Sequence, residues 1–388
     1  KDSIVKDTVV IHLFYPRLRF QNEVKLESSQ FTFQDRSPNE LNYLQYFNYV
    51  YNPNTNLKFV DNWNLVTNDF SLISYPQKNN ANQFLQVGSG YTNLATTLSN
   101  LQSWSDYDLY AFAVYKNKTR NQLWDMLASG KLYINGYHSG DYEAKVYLSR
   151  ILNAKGNYMK LSFQNYNRTP SANLLGRTQF PIIGLAGIKK ENTIDLMGVI
   201  GNYKSAWLAQ VNYQLINNYN YFSNGYQANT YGGAISYLRI QAEQKLKLSS
   251  HWNWYNQLNV QLVDQSSPIH VPLILTRQRL AFEGNFYKNL NLSTGLELIY
   301  HTSYKADGYM PFTGQFYTQN NYTLTNRPIA NAFLHFMIKR LKAYIRLENL
   351  NTLIPTSEKL GPSYNFSAQN YPTNSLWFRV GIWWNFIN

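Results

Sequence analysis

The residue types that most often carry catalysis are sparse in this chain and poorly spaced for it. Six histidines, His12, His138, His251, His270, His301 and His335, include no pair at metal-ligand spacing. Cysteine is absent, which removes thiol nucleophiles, thiolate metal sites and disulfides together. Neither G-x-S-x-G nor H-E-x-x-H occurs, so there is no serine elbow and no zinc-binding helix. His138-Ser139-Gly140-Asp141 holds the residue types of a nucleophilic triad but reads as a tight hairpin link. His301 and His335, with Glu297 nearby, are the remaining arrangement that distant segments could assemble. The expectation is a chain with no enzymatic activity, no metal and no cofactor.

What the sequence does supply is charge at alternate positions. Lys145, Arg239, Lys245, Arg277, Arg279, Lys339, Lys342, Arg346 and Arg379 fall on the polar sides of alternating segments. Glu143, Glu243, Glu283, Glu297 and Glu348 fall there too, as do His301 and His335. If those sides enclose water, the cations give the interior a mild positive bias, and rings of Arg and Lys favour anions. The same charges also suit salt-bridge ladders that stiffen a wall and conduct nothing. Tyr237, Tyr255, Tyr344, Trp377 and Trp383 share the polar side, either as a stacking surface for sugars or as bulk that narrows the bore.

The elements that position these residues show period-2 alternation over roughly ten to sixteen residues, with little helical signal. Leu290, Leu292, Thr294, Leu296, Leu298 and Tyr300 alternate with Asn291, Ser293, Gly295, Glu297 and His301. Ile274, Leu280, Phe282 and Phe286 oppose Arg277, Arg279, Glu283 and Asn285. Ala330, Ala332, Leu334, Phe336 and Ile338 oppose Asn331, His335 and Lys339. Leu341, Ala343, Ile345 and Leu347 oppose Lys342, Tyr344, Arg346 and Glu348. Side chains of a strand alternate faces, so each segment has one apolar and one polar side.

Strand length narrows the choice. Soluble strands run about five or six residues, whereas a strand crossing a bilayer needs roughly nine to eleven, and most segments here reach that. Connections alternate short (near 117–121, 153–156, 201–204, 249–251, 288–289 and 340–341) with long (169–191, 217–230, 304–327 and 351–372). Tight inner turns and longer outer loops are the asymmetry of outer-membrane barrels. Thirteen regular segments and three less regular ones, near 18–33, 62–75 and 83–92, predict an all-β, single transmembrane antiparallel up-and-down β-barrel of about 16 strands, with 14 as the alternative. An even count puts both termini on the periplasmic side. Residues 1–388 read as one domain, with 1–17 as a periplasmic N-terminal segment.

Composition agrees. Aromatic residues make up 16% of the 388, including 33 tyrosines, and charged residues 15%, too much apolar surface for disorder. No apolar run nears the roughly 18 residues of a helical span. The net charge of +13 is scattered, with no basic run longer than two, so nucleic acid is not an expected partner. The opening KDSIVKDTVV lacks an apolar core, so an export signal is expected to have been removed or to lie outside this sequence. Trp252, Trp254, Tyr300, Tyr304, Trp383 and Trp384 gather at strand ends, as interfacial girdles do.

The last strand carries Arg379, Gly381, Trp384 and Phe386 and resembles the C-terminal β-signal read by outer-membrane assembly machinery. The stretches Pro272–Asn320 and Asn326–Thr352, with the final YPTNSLWFRVGIWWNFIN, resemble the putative-porin family of Bacteroidota outer membranes. The likeness extends more loosely to RLRFQNEVKLESSQFTF and LYINGYHSGDY. It implies an outer-membrane β-barrel in contact with lipid and with barrel-assembly machinery during biogenesis, and it brings no catalytic motif. Two functions stay open: passive diffusion of small polar solutes, or a plugged barrel serving as a subunit of a larger envelope assembly, secretion or uptake complex. The loop opening at Tyr304-Lys305-Ala306-Asp307-Gly308-Tyr309-Met310-Pro311 is either a plain connection or a folded cap over the mouth.

Overall fold

Alternating apolar and polar side chains satisfy both faces when strands pair antiparallel with grease on one side and water on the other. The computed structural model describes residues 17–50, 57–77, 80–98, 103–118, 123–187, 189–286, 289–354 and 365–385, and builds that sheet from sixteen strands. In chain order they begin with β1 (Leu18–Asp35), β2 (Leu57–Ser74), β3 (Gln83–Leu98) and β4 (Ser103–Lys118). Next come β5 (Trp124–Gly136), β6 (Tyr142–Ile151), β7 (Asn157–Arg168) and β8 (Glu191–Asn202). They continue with β9 (Trp207–Ser223), β10 (Gln227–Lys247), β11 (Trp252–Val263) and β12 (Ile274–Phe286). The last four are β13 (Leu290–His301), β14 (Ile329–Ile338), β15 (Leu341–Glu348) and β16 (Trp377–Trp384). Each pairs antiparallel with its neighbour in sequence, so the topology is up-and-down with sixteen strands, and the three less regular segments are all strands. Among the described residues no helix is long and apolar enough to cross a membrane.

The faces are those of a membrane wall. Leu296 is 60% exposed while Glu297, one residue on, is 4% exposed. Leu161, Leu196, Ile200, Val211, Ile240, Leu258 and Leu280 are likewise exposed. Burying these outward side chains is the work of lipid, and no water is available there for stray backbone groups. Trp252, Trp254 and Trp384 lie exposed at the turn end and Tyr300 at the loop end, where an amphipathic ring suits the interface. Among the described residues β1 pairs with β2 alone and β16 with β15 alone. That seam is where the wall must be completed in the bilayer, because unpaired strand edges are not tolerated in lipid.

Two connections differ from expectation. The stretch 217–230 is not a loop: β9 and β10 run 17 and 21 residues and meet at a tight tip. Asn224 (φ 52) and Gly225 (φ 81) are both left-handed there, the requirement of a primed hairpin turn, and a register shift at Tyr231/Ala234 absorbs Gly232 and Gly233. The Tyr and Asn side chains of this stretch alternate along the ladder. The second is a helix, α1 (Glu40–Phe47), in the outer loop after β1. Asn39 caps its start by accepting from the Asn42 amide, and left-handed Asn48 ends it. Residues 1–16, and so almost all of the expected N-terminal segment, lie outside the described residues.

Candidate functional site

The inner face of β10 to β16 is a hydrogen-bonded ladder of charge. Glu297 on β13 accepts from Arg277 on β12 (Nε 2.9 Å, Nη2 2.5 Å), from Arg346 on β15 (3.2 Å) and from Asn331 on β14 (3.3 Å). Arg346 Nε also lies 3.4 Å from Glu348, which pairs with Arg379 on β16 at 3.1 Å. Glu283 accepts from Lys245 (3.3 Å), Asn253 (2.8 Å) and Tyr255 (2.7 Å). These pairs run diagonally across the register: Arg279 lies directly opposite Glu297 and Arg379 opposite Arg346, while the bonded partners Arg277 and Glu348 sit two residues along.

The other candidates have quieter partners. Lys145 pairs with Glu143, Arg239 donates to Asn212 (3.2 Å), and Glu243 accepts from Gln241 (2.6 Å). Arg279 lies 4.2 Å from the Phe333 ring centre and reaches Ser293 (3.3 Å), while Lys342 sits 5.1 Å from that of Trp383. His335 packs between Phe333 and Tyr344, tilted against the first ring and edge-on to the second. His301, at the outer end of β13, contacts the Thr302 carbonyl (3.0 Å) and Asn326 (3.3 Å), so the two histidines are not brought together around Glu297. Lys339 is a correction: it occupies the two-residue turn between β14 and β15 with φ 53, outside the wall. Alternation was carried one residue too far, because the strand ends at Ile338 where the backbone turns left-handed.

Gly381 has a physical role. Tyr344 lies opposite it across β15 and β16, and a Cβ at 381 would overlap that ring. Gly88 and Gly90 likewise receive the rings of Phe112 and Tyr110. Arg379 and Trp384 stand on opposite faces of β16, and Phe386 lies outside the described residues.

Two inner-face acids in the first half of the chain, Asp69 and Asp108, escaped the sequence reading. Asp69 accepts from Tyr110 (2.5 Å), whose ring centre lies 3.6 Å from Lys131 Nζ. Asp108 meets His138 (2.6 Å), and Asp141 accepts from Lys190 (2.6 Å) and Thr169 (2.9 Å). Ser139 Oγ donates to the Ile134 carbonyl (3.2 Å), so the 138–141 stretch is a stapled turn. Among the described residues no cluster of His, Asp or Glu could hold a metal ion.

The outer mouth is built differently, from apolar side chains. In the 302–328 loop, strands Gly308–Met310 and Gln315–Tyr317 form a small hairpin. Its Met310 and Phe312 are buried with Tyr43 of α1 and Leu57, and Phe33, Phe47, Tyr49, Phe59, Tyr226 and Tyr317 pack around them. Phe312 is fully buried, its ring centre 4.7 Å from that of Tyr49, 5.8 Å from Phe47 and 6.0 Å from Tyr43. Thr313 donates to the Gly225 carbonyl (3.2 Å), Thr318 N to Phe222 (2.8 Å) and Thr318 Oγ1 to Pro268 (3.0 Å). The 169–190 loop joins them: Asp61 accepts from Thr178 and from the Gln179 amide (2.9 Å), and Phe180 packs on Phe31 (5.0 Å) and Phe59 (5.4 Å). Segments from five parts of the chain thus share one cap. Within it Asp307 is desolvated without a hydrogen-bond partner for Oδ1, and burial pushes its carboxyl up to about 6.

A long-stranded up-and-down wall with apolar side chains outward and charge inward is a bacterial outer-membrane β-barrel. Residues 10–388 match the putative-porin family, and the chain belongs to it. No curated protein matches. Among solved structures it is similar to the ferric enterobactin receptor of Pseudomonas aeruginosa, at 13% identity and TM-score 0.64, covering 94% of this chain and 59% of that one. It is also similar to the siderophore receptor PirA of Acinetobacter baumannii (9%, TM-score 0.62, 95% and 60%). A third is the FrpB iron transporter of Neisseria meningitidis (10%, TM-score 0.58, 94% and 59%). The chain spans about three fifths of the length of these structures, and at such identity the likeness is one of fold.

Proposed function

We propose that the protein is a transport barrel through which small polar solutes diffuse along a hydrated, mildly positive interior, with the outer mouth narrowed by the loop cap. The observation that carries this reading is the polar inner face of β10 to β16, on which Arg239, Lys245, Arg277, Arg279, Lys342, Arg346 and Arg379 outnumber Glu243, Glu283, Glu297 and Glu348, while Asp69 and Asp108 add acids on β2 and β4. Cations that remain after pairing give a field that admits anions more readily. At sixteen strands or more, side chains alone do not fill a barrel. No catalytic role is assigned. Planar-bilayer recording in a salt gradient is the test. Conductance steps proportional to salt with an anion-selective reversal potential support the reading, and cation preference rejects the positive interior.

The cap favours a second reading, a closed barrel acting as a subunit of an envelope complex, because its apolar core seals segments together over the mouth. Silence in bilayers together with stoichiometric co-purification of partner proteins would select it. Arg379, Gly381, Trp384 and Phe386 fit, in addition, a signal read by the barrel-assembly machinery, with Gly381 leaving room for Tyr344 as β16 docks. Gly381→Val would then strand the chain before the membrane.

A further inference from the structure

On the cap, beside the apolar core with which it shares Phe47 and Tyr317, lies a pocket of about 530 Å³. Its lining comes from three separate loops. Gln45, Tyr46 and Phe47 form the last turn of α1; Tyr309 and Tyr317 belong to the 308–317 hairpin; Gln369 and Asn370 form the turn between the short strands Phe366–Ala368 and Tyr371–Pro372, and Tyr371 opens the second of these. Asn370 takes a left-handed φ of 67, which brings the two carboxamides to the turn tip.

The composition is selective. Among the described residues five aromatic rings and three carboxamides line the pocket, and no charged residue does. A lumenal pocket of about 330 Å³ on β10 to β12 is, by contrast, lined by Glu243, Lys245, Arg277 and Arg279. Tyr309 and Tyr371 meet nearly edge to face, 5.4 Å between ring centres and 82° between planes, so they present two walls of a corner. Among the described residues no hydrogen bond inside the protein engages the hydroxyls of Tyr46, Tyr309, Tyr317 or Tyr371, or the carboxamides of Gln45, Gln369 and Asn370. Seven polar groups therefore face the pocket uncommitted, each with an apolar ring or stem behind it. Burial pushes the Tyr371 hydroxyl up to about 12, so it stays a neutral donor and acceptor at any physiological pH.

A ligand that suits this lining needs apolar faces for the rings, hydroxyls for the amides and phenols, and no charge. We infer that the pocket binds a neutral oligosaccharide on the outer surface of the cap. C–H faces of sugar rings lie on tyrosine and phenylalanine, ring hydroxyls take the carboxamide and phenol partners, and an acidic sugar finds no cation. The volume lies within the range of small-molecule sites. This inference goes beyond conduction and does not depend on it.

The test is isothermal titration of the full chain in detergent with maltotriose, cellotriose and xylotriose, against tri-galacturonate as the charged counterpart and a proline-rich decapeptide as the rival ligand class. Saturable binding of at least one neutral trisaccharide, roughly millimolar or tighter, is expected. Tyr309→Ala and Tyr371→Ala are expected to weaken it at least tenfold and Tyr371→Phe less, because the ring remains. Asn370→Gly deletes one carboxamide where the backbone already suits glycine, and it carries the test if the tyrosine variants fail to fold. Binding of no neutral sugar, binding unchanged in the variants, or preference for the acidic trimer or the peptide would overturn the proposal.

Discussion

Removing Phe312 from the cap should open the mouth. The side chain is fully buried and lies within ring-contact distance of Tyr49, Phe47 and Tyr43. Truncating a buried phenylalanine to alanine costs about 3–5 kcal/mol, lost apolar burial and residual cavity together. The core it belongs to holds Tyr43, Leu57 and Met310 besides, so this loss is large against the free energy of a local loop opening. Taken wholly as bias toward the open cap, about 3 kcal/mol raises the open-to-closed ratio on the order of a hundredfold, and 5 kcal/mol a few thousandfold. Single-channel recording of Phe312→Ala should therefore show larger or longer openings than wild type. Phe316→Ala is the control, since Phe316 points outward at 61% exposure. Equal conductance in wild type and Phe312→Ala, with both barrels folded by heat-dependent gel mobility, would refute the reasoning that apolar packing holds the mouth.

Other outcomes follow from the wall. Glu297→Gln leaves Arg277 and Arg346 without their shared carboxylate; it should lower the unfolding midpoint in urea by the equivalent of about 1–3 kcal/mol and shift the reversal potential toward anions. Leu296→Arg puts a cation into lipid and should cost about 2–4 kcal/mol, read by the same unfolding assay, whereas Leu296→Phe should be near neutral. Asp307 gives the cap a pH dependence. Its carboxyl holds its proton more tightly in the closed cap than in water, so the stabilisation is complete below about 4 and is lost as pH rises through about 6. Conductance should fall as the outer bath is acidified across that window, and Asp307→Asn should remove the response.

The sequence made the wall legible and the cap nearly invisible, for one physical reason. Along β12 to β15 every second side chain meets the same medium, lipid or water, so Leu296 and Glu297 announce their faces without knowledge of any partner. Strand ends were harder, as Lys339 shows, because alternation says nothing of where the backbone turns. Near β1 to β4 the inner face mixes Asp69, Tyr110, Gly88 and Gly90, and its order appears when cross-strand rings fill the glycine positions. The cap core unites Tyr43 and Leu57 with Phe312, more than 250 residues further along the chain, and neither loop alone carries a periodic signal. The 304–311 segment could be marked as a candidate cap, but not the seat of the following Thr313 and Gly314 on Gly225 and Phe31.

Conductance through a barrel whose cap can be locked and released tests the account most directly. Ser223 and Thr318 are bridged backbone to backbone between the β9–β10 tip and the cap loop, and residues 1–388 hold no cysteine to interfere. In an S223C/T318C variant the account predicts small or absent steps while the disulfide is oxidised, larger steps once it is reduced on the same membrane, and no redox response from wild type. Identical steps in the oxidised and reduced states would contradict it.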